Sequence, residues 1–320
     1  MIDAVELRRA ASDYVRIRRQ LGFKLQGHDR LLEDFIGYLD RSAAPTAGFS
    51  IEQTVAWATR AGTAGSVRAV QRLCVVRGFA RYLAALDPSG IVEVPPTDLL
   101  TCHRSRPTPY LFSNNDIGLL LAAAGDLRPA LRAATHQTLF GLLVVTGMRI
   151  GEAIALDRGD VDLACGQLSI TNAKFRKHRL LPLHPTTVAK LADYAARRDD
   201  ALHRQVTSSF FVTSKGTRLN DQGVHAVFRE LLRRVDVPAQ PGTGGPRIHS
   251  FRHGFAITTL RDWYSAGVDV NSTQPILSAY LGHADPISTY CYLQATPELL
   301  AAAAERLEQF MDPPLIGQPR

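Results

Sequence analysis

Apolar residues recur at helical spacing through most of the first 86 positions. Val5, Leu7, Tyr14 and Ile17 predict an amphipathic segment ending near Gly22, a residue suited to the left-handed position beyond a helix end. Leu31, Leu32, Phe35, Ile36 and Leu39 predict a second helix over 28–40. Ser50, with Gln53 three residues on, reads as a capping box opening a third helix that carries Val55 and Trp57. The clearest stripe lies at 66–86, where Val70, Leu73, Val75, Val76, Phe79, Tyr82 and Leu83 share a face. Arg68, Arg72, Arg77 and Arg81 fall largely off that stripe, which predicts a solvated basic face.

The pattern breaks at 87–112. Pro88, Gly90, Pro95, Pro96, Pro107 and Pro109 prevent helix propagation and predict an extended tether carrying the basic run His103-Arg104-Ser105-Arg106. Helical periodicity then returns. Ser113 caps a helix with Asp116 in its first turn, and 139–145 is an apolar run predicted to be a buried helix leading to Arg149. Leu168, Ile170, Phe175, Leu181 and Leu183 alternate with polar residues and predict two or three strands over 167–183. Helices are expected at 185–198 and 220–235, a short strand at Phe210-Phe211-Val212, and a loop at 238–246. Thr296 and Pro297 open a last helix with Leu299, Leu300, Ala303, Leu307 and Phe310 on its apolar side. No internal repeat is visible. The expected fold is mainly α (α+β): a four-helix domain at 1–86, a Pro-rich linker at 87–112, and a mostly helical domain at 113–320 with a small antiparallel sheet.

At 320 residues the chain is long enough for two domains. It has no run of about eighteen apolar residues and no secretory leader, so a soluble, intracellular protein without a membrane partner is expected. Cys74, Cys102, Cys165 and Cys291 stand far apart and read as isolated thiols, with neither disulfide nor metal spacing. The net charge of +7 points to a polyanionic partner. The cations are mostly arginine, whose planar fork suits phosphate; lysine occurs only at 24, 174, 177, 190 and 215.

Candidate chemistry lies in three short stretches of the second half. V-T-G-M-R-I-G-E-A-I-A-L (145–156) sets Arg149 in an apolar, glycine-flanked turn, with Glu152 on the same helical face. Glu152 can orient Arg149, or the two can form a buried ion pair. Such a pair adds little net stability, so replacing Arg149 or Arg252 is expected to spare folding. I-H-S-F-R-H-G (248–254) places His249 and Arg252 three apart, within reach of one phosphate, followed by His253. A zinc reading of His249 and His253 lacks the glutamate that the metalloprotease motif requires, since Ser250 follows and Arg252 repels a metal. Y-L-G-H-A-D-P-I-S-T-Y-C-Y-L (280–293) supplies His283 and three phenols, of which Tyr280 reads as a core residue. Fixed cations and imidazoles suit an anion that gains charge in a transition state, and a phenol beside them suits a nucleophile.

Arg149, the His249–Arg252 pair, His283 and Tyr292, in that order, resemble the tyrosine recombinases (phage integrases, including the Xer-type resolvases). T-G-M-R-I-G-E-x-x-x-L resembles the first arginine box of that family. The L-G-H box, with Tyr292 nine residues beyond, resembles its second histidine and nucleophile, with Tyr290 the runner-up. T-N-A-K-F-R-K-H-R-L-L-P-L (171–183) resembles the family's G-K-G-x-K-x-R-x-x-P-L segment. Lys174 stands at the catalytic position there and Lys177 is the alternative, although Asn172-Ala173 and Phe175 replace glycine neighbours. His253 and His283 are thirty residues apart, longer than in compact Xer-type proteins, and 261–275 reads as a surface elaboration of a mobile-element branch.

The resemblance implies a core-binding (SAM-like) DNA-binding domain at 1–86 and a catalytic domain at 113–320. It implies catalytic roles for Arg149, Lys174, His249, Arg252, His283 and Tyr292, supported by Glu152 and His253. Arg68, Arg72, Arg77, Arg104, Arg106, Arg176, Lys177 and Arg179 are expected on DNA. The tyrosine attacks DNA, stores the bond energy in a 3′-phosphotyrosyl link, and needs neither ATP, metal nor other cofactor; Lys174 protonates the leaving 5′ hydroxyl. Religation passes through a Holliday junction in a homotetramer on two double-stranded recombination sites, with a monomer or weak oligomer when free. The implied setting is the bacterial cytoplasm, on the nucleoid, as an integrase or a mobile-element transposase. The alternatives are a type IB topoisomerase and a non-catalytic DNA-binding regulator. A tail helix beyond Tyr292, reaching a neighbouring protomer, favours multimeric recombination; a filled set of site positions disfavours the regulator.

Overall fold

The computed structural model describes residues 4–23, 25–42, 48–60, 66–87, 92–100, 108–171, 178–202, 207–238, 240–283 and Ala304. Backbone contacts divide the chain into two units, Met1–Arg106 and Pro107–Arg320, the division falling inside the proline-rich segment. No helix among the described residues is long and apolar enough to cross a membrane.

The first unit packs α1 (Ala4–Gln20), α2 (His28–Arg41), α3 (Ile51–Thr59) and α4 (Val67–Leu86). Helix α1 ends as its glycine predicts. Gly22 takes φ +89°, and the amides of Gly22 and Phe23 close on the carbonyls of Arg19 and Arg18. The Ser50–Gln53 capping box is formed at α3. The face α1 buries differs from the expected one: Leu7, Ala11, Tyr14 and Val15 are inside, while Val5 and Ile17 are exposed. The buried set keeps i, i+4, i+7 and i+8 spacing and so meets one partner surface; Val5 and Ile17 lie off that stripe. The core is centred on Phe35, Phe49, Trp57 and Phe79, with Phe35 edge-on to both Phe49 (5.0 Å) and Trp57 (5.1 Å). Each such ring contributes about 2–3 kcal/mol of apolar burial.

Two arginines of α4 leave the expected solvated face. Arg77 is buried, and its Nε and Nη2 donate to the carbonyls of Pro95 (2.8 Å) and Pro96 (2.6 Å). It therefore holds down a proline segment whose carbonyls have no regular ladder to enter. Arg72 lies 5.2 Å above the Trp57 ring and 4.0 Å from Asp34, whereas Arg68 is exposed.

In the second unit, α5 (Asn114–Gly125) opens on a Ser113–Asp116 capping box. Helix α6 (Ala130–Thr146) is buried on most sides and packs against α5, α8 (Pro185–Ala201) and α10 (His249–Ser265). Within the apolar run only Val145 is largely exposed. Helix α6 ends at Gly147 in a left-handed conformation, and α7 (Ile150–Ala155) starts three residues after it. Strands β1 (Val161–Asp162), β2 (Gln167–Ile170) and β3 (Arg179–Pro182) form an antiparallel sheet in sequence order, with Leu168 opposite Leu181 and Ile170 opposite Arg179.

Helix α9 (Asp221–Val235) buries Val224, Val227, Phe228 and Leu231, and Phe228 packs against Phe140 and Phe251. The expected strand at 210–212 is absent. Phe210 and Val212 are buried, but their polar groups are met by Arg198 Nη1, the Tyr194 hydroxyl and the Leu156 carbonyl, leaving only isolated bridges. Residues 261–275 are only partly surface: they finish α10 and begin α11 (Val270–Leu281), and Val270 and Gln274 are buried. Apart from Ala304, which is helical, the expected tail helix lies outside the described residues, as do Cys102 and Cys291.

Candidate active site

The carboxyl end of α11 collects the site. Gly282 takes φ +69°, and the amides of Gly282 and His283 close on the carbonyls of Ala279 and Ser278. The next three carbonyls, of Tyr280, Leu281 and Gly282, stand at this helix end. Guanidiniums from three other elements take them: Arg179 Nε donates to Tyr280 O (2.9 Å), Arg252 Nη2 to Leu281 O (2.8 Å) and Arg149 Nη2 to Gly282 O (3.0 Å). Cations at a helix carboxyl end also meet its negative dipole. Charge-assisted bonds of this kind are worth about 1.5–3 kcal/mol each. His283 is thus delivered into a ring of positive charge by the helix end that those charges hold.

Each arginine is fixed from behind. Arg252 is 2% exposed, and its Nη1 donates to Gly147 O at 2.9 Å. Gly147 can be only glycine there: φ is +58°, and a Cβ would sit 2.6 Å from the Phe255 ring. Arg149 precedes α7, where Glu152 Oε2 accepts from its backbone amide and Oε1 from its Nη1, both at 3.0 Å. Arg179 Nη1 and Nη2 reach the same two oxygens at 3.2 and 2.7 Å. Glu152 is therefore shared between two arginines. Burial alone would raise its pKa, but Arg179 and Arg149 outweigh burial and hold it below the usual carboxylate range.

The imidazoles stand at the same place. His249 and His253 meet edge-on with centroids 4.6 Å apart. Burial, then the charges of Arg252 and Arg149, push His249 below free imidazole. His253 falls to about 4 through burial, His249 and Arg252. His283 falls to about 4 through burial and the charges of Arg252 and Arg149, with smaller effects from His249 and Arg179. At neutral pH, His253 and His283 are therefore uncharged, able to accept or donate a hydrogen bond beside fixed guanidiniums. With one carboxylate against three arginines, the cluster holds excess positive charge suited to a phosphate. Among the described residues, no three His, Cys, Asp or Glu side chains gather as a metal site.

Arg149, Glu152, His249, Arg252, His253 and His283 thus converge from three separated stretches. Tyr280 stacks on Phe255 at 5.5 Å as part of the core. Lys174, Arg176, Lys177, Tyr290, Tyr292, Arg104 and Arg106 lie outside the described residues. Arg179, expected on DNA, is instead inside this network with an 11% exposed side chain. One signal in the sequence pointed inward: in β3, Arg179 is two residues from Leu181, which is fully buried, so the two share a strand face. Gly147 and Gly282, which let the arginines approach, carried no separate signal.

The profile of the phage integrase family matches residues 112–298. An integrase/recombinase of Sinorhizobium fredii, y4rB, is 41% identical over 308 residues, covering 94% of this chain and 97% of its own.

The chain belongs to the phage integrase family of tyrosine recombinases.

It is a site-specific recombinase of the integrase type. The tyrosine recombinase XerD of Mycobacterium tuberculosis is 32% identical over 250 residues, 75% of this recombinase and 74% of XerD. The crystal structure of XerH bound to a palindromic difH substrate, a post-cleavage complex, shares the fold. Its TM-score is 0.65 at 17% identity, over 96% of this chain and 85% of XerH. The recombinase is mostly helical with a small antiparallel sheet, as expected.

Proposed function

We propose that this recombinase binds double-stranded DNA at specific sites and seats the scissile phosphate on the arginine cluster at the end of α11. Arg149 faces outward most, with 36% of its side chain exposed, and Arg252 stands behind it. Their positive charge offsets the charge gained by the non-bridging oxygens. Tyr292 attacks phosphorus, its phenol proton passing to a neutral imidazole of the site. The P–O5′ bond breaks, Lys174 protonates the leaving 5′ oxygen, and a 3′-phosphotyrosyl link remains. Attack by a 5′ hydroxyl of a partner strand reverses these steps and yields a Holliday junction. The working assembly is a homotetramer on two sites, with a monomer or weak oligomer when free, in the bacterial cytoplasm. Arg68 and, on the linker, Arg104 and Arg106 contact backbone phosphates, as do Arg176 and Lys177 of the hairpin.

The observation that supports this most is the meeting of Arg252 and Arg149 on carbonyls 281 and 282, two and one residues before His283 and eleven and ten before Tyr292. The test is incubation with duplex DNA from the chain's own genomic flanks, in EDTA and without ATP. Covalent protein–DNA adducts and four-way junctions are expected. Adducts that vanish on chelation and return with magnesium overturn the mechanism. Relaxation of supercoiled DNA without junctions favours the topoisomerase reading.

A further inference from the structure

The Glu152 carboxylate has four acceptor positions, and four donors fill them. Two belong to Arg149, its backbone N and Nη1. The other two are Nη1 and Nη2 of Arg179, which docks on both oxygens as a fork. The third nitrogen of Arg179, Nε, is on Tyr280 O. Every nitrogen of that guanidinium is engaged, and its side chain is 11% exposed, so it is built into the site rather than turned toward a ligand. Gly282 accommodates it: a Cβ there would sit 2.6 Å from Arg179 Nη1.

Arg149 is held differently. Only Nη1 goes to Glu152, while Nη2 reaches Gly282 O, and its side chain is the more exposed of the two. A carboxylate with free acceptor positions favours a two-pronged grip on a guanidinium. Glu152 cannot grip Arg149 that way, because Arg179 already occupies the positions.

We infer that Arg179 is a positioning residue: by saturating Glu152, it keeps Arg149 singly held and turned toward the scissile phosphate. Without Arg179, Glu152 takes both Nη atoms of Arg149 and draws its guanidinium off Gly282 O and away from the phosphate. This rests on the recombinase reading above for what Arg149 contacts, but the competition for Glu152 is a property of the free protein.

Two measurements separate the two ideas. The first needs no DNA. Phenylglyoxal modification of Arg149, followed by peptide mass spectrometry, is expected to slow at least threefold in Arg179→Met and to recover in Arg179→Met/Glu152→Gln. Equal modification rates in all three proteins overturn the inference, whatever DNA the protein cuts. The second uses duplex DNA from the genomic flanks. Arg179→Met is expected to form adducts about a hundredfold more slowly, with affinity for that DNA within about threefold of the parent. Removing the carboxylate as well, in Arg179→Met/Glu152→Gln, is expected to restore at least tenfold. A merely structural role predicts the opposite, a further loss from the second substitution. A fall in DNA affinity that matches the fall in adducts makes Arg179 a DNA contact and also overturns the inference. If Arg179→Met is unfolded by circular dichroism, Arg179→Lys decides. One ammonium keeps the charge but cannot saturate both oxygens, so adducts at least tenfold slower at unchanged affinity are expected, and parental rates sink the idea. Failure of the parent protein to form any adduct, with the phenylglyoxal pattern as expected, counts against the recombination reading alone.

Discussion

Arg252 Nη2 donates to the Leu281 carbonyl across 2.8 Å, although 29 residues separate them. The same guanidinium holds Gly147 O, 105 residues away, at 2.9 Å. One buried side chain thus ties the turn after α6 to the end of α11. The sequence-based expectation treated this arginine as dispensable for folding; the two buried carbonyls it satisfies change that. Arg252→Ala is expected to cost about 2–4 kcal/mol. For a unit of this size that lowers Tm by roughly 5–10 °C, and cleavage falls about a hundredfold or more. Differential scanning calorimetry and adduct assays check both. An unchanged Tm would show that water replaces the guanidinium without penalty.

Tyr292→Phe is expected to abolish covalent attachment to DNA and leave gel-shift affinity nearly intact. The motivation is the nine-residue spacing from His283, which the arginine-capped helix end holds in place. Tyr290→Phe is the control. Adducts from the Tyr292 variant, together with none from the Tyr290 variant, reverse the assignment.

Acid should destabilise the free protein through its imidazoles. His253 and His283 lie at about 4, against an ordinary value of 6.5. The unfolded chain binds a proton at each near pH 6.5, while the folded protein refuses it until near pH 4. Stability is therefore full above the unfolded value and is lost as pH falls from about 6.5 toward 4. Urea unfolding from pH 8 to pH 4 measures this slope, and His283→Gln should flatten part of it. A slope identical in parent and variant would falsify the assigned environment of His283.

Gly147→Ala combines two penalties. The φ of +58° disfavours any L side chain by about 1–2 kcal/mol. The new Cβ also runs into the Phe255 ring at 2.6 and 2.9 Å. Adding Phe255→Ala relieves the ring contact and leaves the first penalty in place. The double variant should therefore lose less than the two single losses summed, as measured by urea midpoints. Strict additivity would mean that the ring moves aside without cost.

Much of the fold is local in origin and legible in the chain. Ser50–Gln53 and Ser113–Asp116 cap their helices because each pair satisfies orphan amides within one turn. Gly22 ends α1 because only glycine takes φ +89° without strain. Leu168 and Leu181 face inward because strand side chains alternate. The candidate site was legible as a set of residue types at fixed spacings, from Arg149 through His249 and Arg252 to His283.

What the chain order could not convey is which backbone groups remain unbonded after the elements pack, and which side chains then reach them. Arg77 and Arg179 were both expected on DNA. In the packed fold the carbonyls of Pro95, Pro96 and Tyr280 accept from these guanidiniums, because a backbone acceptor withdrawn from regular structure recruits a nearby strong donor. Phe210 and Val212 had the composition of a strand, but among the described residues only isolated bridges lie alongside, so side chains and an isolated carbonyl took their hydrogen bonds. Val5 and Ile17 fitted a helical period, yet α1 turned a different stripe to its neighbours. The sequence by itself determined the elements and the chemical inventory of the site. The tertiary structure decided that three guanidiniums from distant segments would close on one helix end, because hydrogen-bond satisfaction in a packed interior depends on the whole fold.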